Sequence, residues 1–371
     1  MNYPRSSFRV LARRKPIFGT ALIALGLIGI SGPAHAESEI VESKSGSLER
    51  TAAFRTRAAR LAVPPVDWDE ARGDVQQSDS PSESRTTGPV GFVPGGLPEP
   101  DADTKARRKF RLSWKAQQSE PDSATYDLTR TLALNEQRGT KNVFAQYCEN
   151  CSGVNKSFPQ RAIGKLFYKN NGKSYTCSAS VISKKNVIVT AGHCCYNRSS
   201  KKASNSFVFY PAYRNGYAPY GGYNWSSRRY LTGWKTTGKR QYDVCVIKLK
   251  KNIWKTTGYL GRSWNYGTTQ LHHALGYPSN IGSGKKLELC VAESNSQHSS
   301  CEGSKVYRMG CNMMSGSSGG PWIRSYRRGN YVNSVVSGWD STKCTGTYKK
   351  NFNGARFTSA NIVLLCSGGY C

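Results

Sequence analysis

A histidine, an aspartate and a serine occur along the chain in an order that permits nucleophilic catalysis. His193 follows the apolar segment 187–189 and Asp243 precedes the apolar segment 244–247, so rigid strands can fix both side chains. A serine hydroxyl is a weak nucleophile at neutral pH. It becomes reactive when a histidine accepts its proton and a carboxylate fixes the histidine tautomer. With Ser318 farther along the chain, these residues predict acyl transfer to a serine.

The order of the three residues distinguishes among the folds that use this chemistry. The segment 316–320 also matches the nucleophile turn of α/β-hydrolases, but that fold needs its histidine after the serine. No histidine follows Ser318. A subtilisin-like order needs an aspartate shortly before the histidine, and residues 128–192 contain none. Only the order His193, Asp243, Ser318 fits.

The glycines around Ser318 have a separate expected use. The negative oxygen that develops in acyl transfer must be bound by backbone N–H groups that no side chain obstructs. We assign these donors to Gly316 and Ser318. The segment leads directly into the apolar residues 321–323, which argues against a plain glycine-serine linker.

Short β-strands are the elements that must position these residues. Gly, Asn and Ser turns separate them, and no long helical period appears. The strand-like segments are 166–168, 178–182, 187–190, 207–210, 244–249, 287–291 and 335–337. One short helix is predicted from Ser359 to Cys366, with Thr358 or Ser359 as its cap. The sequence therefore predicts an all-β domain with a short C-terminal helix, large enough for two small barrels.

The first 36 residues have the pattern of a secretory signal peptide. Basic residues precede an uncharged apolar run over 17–30, and cleavage is expected after Ala36. The run is too short to span a bilayer comfortably, and no other segment is apolar enough to do so. The paired arginines Arg13 and Arg14 leave a twin-arginine export route open. The pattern predicts a secreted or periplasmic protein.

Residues 37–147 are predicted to form a pro-region or disordered leader. Residues 37–145 hold 16 Lys/Arg and 17 Asp/Glu and lack regular apolar periodicity over long stretches. The alternative is a small prodomain that folds on the rest of the chain, in which 52–61 form an amphipathic helix. The sequence leaves both open.

All 12 cysteines fall between Cys148 and Cys371, so the cross-linked domain is predicted to span 148–371. An even number of cysteines in an exported chain indicates disulfides. The pair Cys148 and Cys151 has a spacing also used for zinc or redox chemistry, but no second pair at zinc-ribbon spacing accompanies it. We expect a disulfide here, and no metal or cofactor.

The positive charge of the chain belongs to this domain. Residues 146–371 hold 32 Lys/Arg against 6 Asp/Glu, a balance of +26 out of +30 for the whole chain. Such a field concentrates anionic partners near the surface. Two functions remain in competition on this evidence: an exported serine endopeptidase, and a cationic binding module for DNA, lipopolysaccharide or wall polymers. Simple solubility is the alternative role of the charge.

At its three candidate catalytic residues the chain resembles the chymotrypsin-like (trypsin-like) serine proteases. Residues 276–278, Gly-Tyr-Pro, resemble the bacterial glutamyl-endopeptidase-like branch. The resemblance covers about residues 160–371. It implies a fold of two antiparallel β-barrels, protein or peptide substrates and no cofactor. The oligomeric state is not indicated.

The same resemblance implies disulfides and a specificity pocket. It pairs Cys177 with Cys194 and Cys311 with Cys344. Asn312 would lie at the base of the pocket with Met313 beside it, while Ser337 and Asp340 would line its wall.

Two departures from the family pattern concern activation and specificity. Ser317 replaces the aspartate that, in trypsin-like zymogens, pairs with a new amino terminus, so that switch is predicted to be missing. The wall segment 337–340 reads Ser-Gly-Trp-Asp instead of Ser-Trp-Gly. Asp340 favours cleavage after Lys or Arg, whereas the glutamyl-endopeptidase resemblance favours Glu, and the sequence does not choose.

Overall fold

The computed structural model describes residues 39–46, 52–67, 71–73, 88–99, 144–154, 156–295, 306–340 and 352–371. The predicted signal peptide lies outside these ranges. The strands, in chain order, are β1 (Ile40–Lys44), β2 (Gly91–Val93), β3 (Ala145–Cys148), β4 (Ile163–Asn170), β5 (Lys173–Ser183), β6 (Val187–Thr190), β7 (Tyr196–Asn197), β8 (Lys202–Ala203), β9 (Asn205–Pro211), β10 (Tyr223–Leu231), β11 (Cys245–Leu249), β12 (Gly261–Trp264), β13 (Thr269–Gly276), β14 (Glu288–Asn295), β15 (Tyr307–Met309), β16 (Pro321–Arg324), β17 (Tyr331–Trp339) and β18 (Phe352–Arg356).

Helices are few and short in the described residues. The α-helices are Arg57–Ala62, Gly192–Cys195, Thr232–Thr237 and Trp254–Thr257, and the 3₁₀ turns are Ala52–Phe54, Gln160–Ala162, Arg240–Tyr242 and Gly282–Gly284. The predicted C-terminal helix begins with a π-helical turn, Ser359–Val363. The Asn361 side chain accepts a hydrogen bond from the Thr358 N–H there, at 2.7 Å. No described helix is long and apolar enough to cross a membrane.

The first sheet closes into a six-stranded barrel. Its strands follow the order β10-β11-β6-β5-β4-β9, and β9 also pairs with β10. All four residues of β6, Val-Ile-Val-Thr, are buried, as β-branched side chains on a central strand usually are. His193 lies just beyond the end of β6, and Asp243 lies just before β11, which pairs with β6. The barrel therefore brings the two residues to the same end of neighbouring strands.

The second sheet has nine strands and supplies the serine. Its main order is β15-β18-β17-β16-β13-β14-β3, with β12 paired to β17 and β2 paired to β12. Ser318 lies in the connection between β15 and β16. The closed barrel and this second, mostly antiparallel sheet confirm the predicted all-β double-barrel fold.

Described parts of the leader are bound to the two sheets. β1 pairs with β10 of the barrel, while β2 pairs with β12 and β3 pairs with β14 in the second sheet. Each of these segments is thus joined to a sheet by strand pairing.

The disulfides correct one expected pairing. Cys177 is bonded to Cys194, but Cys311 is bonded to Cys290 and not to Cys344. Cys290 on β14 and Cys311 are both fully buried in the same apolar cluster, with their Cα atoms 5.7 Å apart. The predicted Cys311–Cys344 bridge is therefore wrong, and Cys344 itself lies outside the described residues. Further bridges are Cys148–Cys151, Cys195–Cys245 and Cys366–Cys371.

Lys165 on β4 is a buried cation. Its ammonium donates a hydrogen bond to the Gly284 carbonyl at 2.5 Å and lies over the rings of Phe167 and Tyr213. Burial, with a smaller contribution from the charge of Lys285, lowers the pKa of Lys165 to about 7. The folded protein therefore binds this proton less readily than the unfolded chain does.

We expect the stability of the protein to rise with pH because of Lys165. Between the folded pKa of about 7 and the ordinary value of 10.5, the unfolded chain binds more protons, so the free energy of unfolding increases with pH. Lys165→Met should remove this slope, as measured by urea unfolding at pH 6.5 and 9.5. The control is Lys169→Met, on the same strand but only half-buried. Equal slopes in wild type and Lys165→Met would contradict the prediction.

Candidate active site

His193 and Asp243 form a buried pair. The imidazole Nδ1 lies 2.9 Å from Asp243 Oδ2 and 3.2 Å from Oδ1. The backbone N–H of His193 also donates to Oδ1, at 2.7 Å. Each residue is only 1% exposed. With Nδ1 bound to the carboxylate, Nε2 is left to exchange a proton with a reactant.

Asp243 remains a carboxylate despite its burial. Burial alone would raise its pKa, but the charge of His193 and hydrogen bonds from His193 and Ser337 hold the pKa of Asp243 below its usual value. The Ser337 hydroxyl donates to Asp243 Oδ2 at 2.5 Å. The acceptor that fixes the histidine tautomer is thus held from two sides.

The loop that carries Ser318 is fastened to the first barrel. The Ser318 carbonyl accepts a hydrogen bond from the Ser178 N–H on β5 at 2.7 Å, and the Ser178 hydroxyl donates to the Gly316 carbonyl at 2.8 Å. Gly319 has φ +76, and a Cβ there would lie 2.6 Å from the Ala191 nitrogen. This close approach of backbone to backbone requires glycine. It places the serine loop directly against the chain that leads into His193.

The reactive atoms of Ser318 and His193 are both unbonded among the described residues. Ser318 is fully buried, and among the described residues neither its Oγ nor His193 Nε2 has a hydrogen-bond partner. Catalytic hydrogen bonds are often long or poorly aligned in a protein without substrate and tighten when it binds. In the described residues the two atoms are not hydrogen-bonded to each other.

The predicted oxyanion donors, Gly316 and Ser318, alternate in the chain with residues whose N–H groups are occupied. The Ser317 N–H donates to the Met314 carbonyl, and the Gly319 N–H donates to the Val336 carbonyl. Among the described residues, no acceptor is bonded to the N–H of Gly316 or Ser318. Gly316 has φ +93, a conformation that glycine adopts without a steric penalty.

Asn312 and Met313, the residues predicted for the base of the pocket, differ in their burial. Asn312 is half-buried, and its carbonyl accepts from the Asn280 side chain at 2.8 Å. Met313 is fully buried, and its carbonyl accepts from the Trp339 indole at 2.9 Å. Met313 therefore belongs to the apolar interior of the second sheet.

Asp340 and Ser337, the two residues predicted for the pocket wall, each have a polar partner. Asp340 is 6% exposed, and its Oδ1 accepts from the Asn353 amide at 2.8 Å. Ser337 contacts Asp243, so its hydroxyl supports the catalytic pair in addition to any role of its backbone.

Arg240 is a site residue that sequence reasoning missed. Its side chain is fully buried and donates to the Ser337 carbonyl at 3.1 Å and to the Trp339 carbonyl. It therefore holds the backbone of the segment 337–339, while its own carbonyl accepts from the Asp243 N–H. The sequence signal that could have pointed to Arg240 is its position three residues before Asp243.

Two groups of described residues bring potential metal-ligand atoms within 4.8 Å of one another, but neither group offers thiolates. The groups are Cys177 with His193 and Cys194, and Cys148 with Cys151 and Glu288. In each group the cysteines are joined to each other by a disulfide. A cysteine binds zinc as a thiolate, so the disulfide-bonded cysteines in these groups do not fit a zinc site.

Comparison with known proteins gives a family match over most of the domain. The family model described as Trypsin matches residues 153–360, more than half of the chain. The glutamyl endopeptidase of Bacillus licheniformis is 29% identical over 180 residues, covering 47% of this chain and 50% of its own. An extracellular metalloprotease of Bacillus subtilis is 32% identical over 127 residues, covering 34% and 39%. The match thus spans half or less of these curated relatives.

Solved structures with similar folds are also proteases by name. The protease Anisep from Arthrobacter nicotinovorans has 27% identity and a TM-score of 0.49, covering 57% of this chain and 99% of its own. A Glu endopeptidase has 22% identity and a TM-score of 0.46, covering 61% and 96%. Because both TM-scores are below 0.5, the family match alone carries the assignment.

Proposed function

We propose that this chain, which belongs to the trypsin family, is an exported serine endopeptidase that cleaves protein or peptide substrates. The observation that carries the proposal is the buried His193–Asp243 pair, with Nε2 unbonded within the described part of the chain and the Ser318 loop packed against the same strand end. A module that only binds polymers has no use for this arrangement, so the binding function is the less favoured alternative.

The proposed reaction has two halves. His193 Nε2 takes the proton of Ser318 Oγ as Oγ attacks the peptide carbonyl, and the N–H groups of Gly316 and Ser318 bind the resulting oxyanion. His193 then gives the proton to the departing amine, so the C–N bond breaks and an acyl-enzyme remains. Water, deprotonated by the same nitrogen, attacks the ester. The bond between Oγ and the acyl carbon then breaks, the proton returns from His193 to Ser318 Oγ, and the acid is released. Throughout, the Asp243 carboxylate stabilises the protonated imidazole.

The direct test is covalent labelling by a fluorophosphonate, which reacts with an activated serine. Mass spectrometry of the labelled protein should locate the probe on Ser318. The control is the same reaction after unfolding, which destroys the activated arrangement and should prevent labelling. Labelling of another residue, or none under conditions that cleave a protein substrate, would contradict the proposed nucleophile.

Export is proposed from the signal-like first 36 residues together with the disulfides of the described domain. Disulfides form and persist in oxidising compartments. We place the active protein outside the cytoplasm, secreted or in the periplasm, with part of residues 37–147 serving as the pro-region of a zymogen.

Anionic polymers are proposed as partners of the basic domain. Because residues 146–371 carry a balance of +26, the domain should bind heparin or DNA in low salt and release them steeply as salt rises. Cleavage of an acidic protein should fall over the same salt range, since the Debye length shrinks to about 10 Å at 0.1 M. Hydrolysis of a small neutral peptide provides the control. Equal salt dependence for both substrates would leave the charge without a role in catalysis.

A further inference from the structure

Two described parts of the leader, residues 52–67 and 71–73, lie across the face that carries the candidate active site. We call them together the leader strap. Its middle pairs with Thr176: the Thr176 N–H donates to the Pro64 carbonyl at 2.9 Å, and the Val66 N–H donates to the Thr176 carbonyl at 3.0 Å. Val66 is only 3% exposed. The strap is therefore bound by backbone hydrogen bonds, as a short parallel strand would be.

The middle of the strap lies beside the serine loop. A Cβ built on Gly316, one of the two candidate oxyanion donors, would lie 3.1 Å from Pro65 Cβ. Thr176 is two residues before Ser178, whose N–H binds the Ser318 carbonyl. The strap thus occupies space next to the position that a substrate carbonyl must take.

The first anchor of the strap consists of Phe54 and Arg60, which precede Pro65 in the chain. Phe54 is fully buried with its ring 5.5 Å from that of Phe167, and its carbonyl accepts from the Tyr210 hydroxyl at 2.6 Å. The Arg60 guanidinium donates twice to the Gly216 carbonyl, at 3.1 and 2.7 Å. An aromatic core contact and a forked hydrogen bond hold this end.

The other anchor lies on the histidine side. The Arg198 N–H donates to the Ala71 carbonyl at 2.8 Å, and the Arg72 side chain donates to the Gly238 carbonyl at 3.1 Å. Arg198 is five residues beyond His193, and Gly238 is five residues before Asp243. The strap is therefore held both before and after its contact with the serine loop at Pro65.

We propose that the leader strap is an autoinhibitory element that covers the groove beside Ser318 and must be displaced or removed before substrate binds. This inference rests on the proposed function. Ser318 and His193, which a substrate must reach, are both buried in the form of the protein that carries the strap. Pro64 and Pro65 have no N–H, so the segment beside Gly316 cannot donate the strand hydrogen bonds that an ordinary peptide offers there. The strap is therefore bound by the two backbone hydrogen bonds at Thr176, while its two prolines offer no N–H to the serine loop.

The test measures how fast the fluorophosphonate labels Ser318 in the intact 371-residue chain. Val66→Asp buries a charge in the strap, which is costly, and should release it. We expect a rise in labelling rate of about tenfold or more, because reactivity scales with the fraction of chains in the open state. The matched control is Val90→Asp, which places the same charge at a leader residue that is 56% exposed. Intact-mass measurement restricts the rate to chains that are not cleaved.

A second pair of variants guards against misfolding of Val66→Asp. Phe54→Ala removes the first anchor without adding charge and should also accelerate labelling, whereas Phe92→Ala changes a ring that is 57% exposed and should not. If Val66→Asp and Phe54→Ala label no faster than wild type while the proteolytically trimmed chain labels rapidly, the autoinhibitory role is overturned and the proposed function stands. If no form of the chain labels at Ser318, the proposed function fails and this inference fails with it.

Discussion

Ser318→Ala should abolish peptidase activity and fluorophosphonate labelling while the protein stays folded. The exchange removes the nucleophile, and loss of such a residue costs on the order of 10⁶ in kcat where serine, histidine and aspartate act as a unit. Because the Ser318 Oγ has no hydrogen-bond partner among the described residues, its removal should cost little stability. Turnover of a peptide substrate and the thermal unfolding midpoint are the two measurements.

The matched control is Ser315→Ala, which removes a half-buried hydroxyl from the same loop. This variant should retain activity and labelling. Normal turnover by Ser318→Ala would show that the nucleophile lies elsewhere, and the proposed mechanism would be wrong.

Asp243→Asn should lower kcat by about 10⁴ with little change in structure. The asparagine amide can present an N–H to His193 Nδ1 where the carboxylate now accepts at 2.9 Å, so the proton moves to Nε2. That tautomer cannot take the serine proton. Loss of the negative charge also leaves the imidazolium of the transition state without its buried partner.

Ser337→Ala provides a graded comparison for this prediction. It removes the hydroxyl that donates to Asp243 Oδ2 but keeps the carboxylate and its contact with His193. We expect a much smaller fall in kcat than for Asp243→Asn. Equal losses would indicate that the carboxylate acts through position alone and that the tautomer argument is wrong.

Activation by removal of the leader strap agrees with the chemistry at Ser317. The Ser317 hydroxyl donates to the Met314 carbonyl at 2.7 Å, so this position is satisfied within its own loop. It has no carboxylate that could pair with a newly formed amino terminus. Activation is therefore expected to depend on uncovering the groove and to tolerate an extra residue at the cut end.

The sequence alone predicted the candidate residues and the fold class. The order His193, Asp243, Ser318 fits only one of the folds considered for this chemistry. Short strands separated by turns favour an all-β domain. The fold-class prediction is confirmed because its signal is local: strand periodicity and turn residues can be read within a few positions.

Tertiary structure decided the contacts between distant segments. The binding of Arg240 to Ser337 joins residues 97 positions apart. Cys311, just beyond β15, bonds to Cys290 on β14 because both are buried in the same apolar cluster. The pairing of Pro65 with Thr176 crosses from leader to domain in the same way. None of these partners has a local signature, since each is selected by which surfaces are left to bury after the sheets have formed.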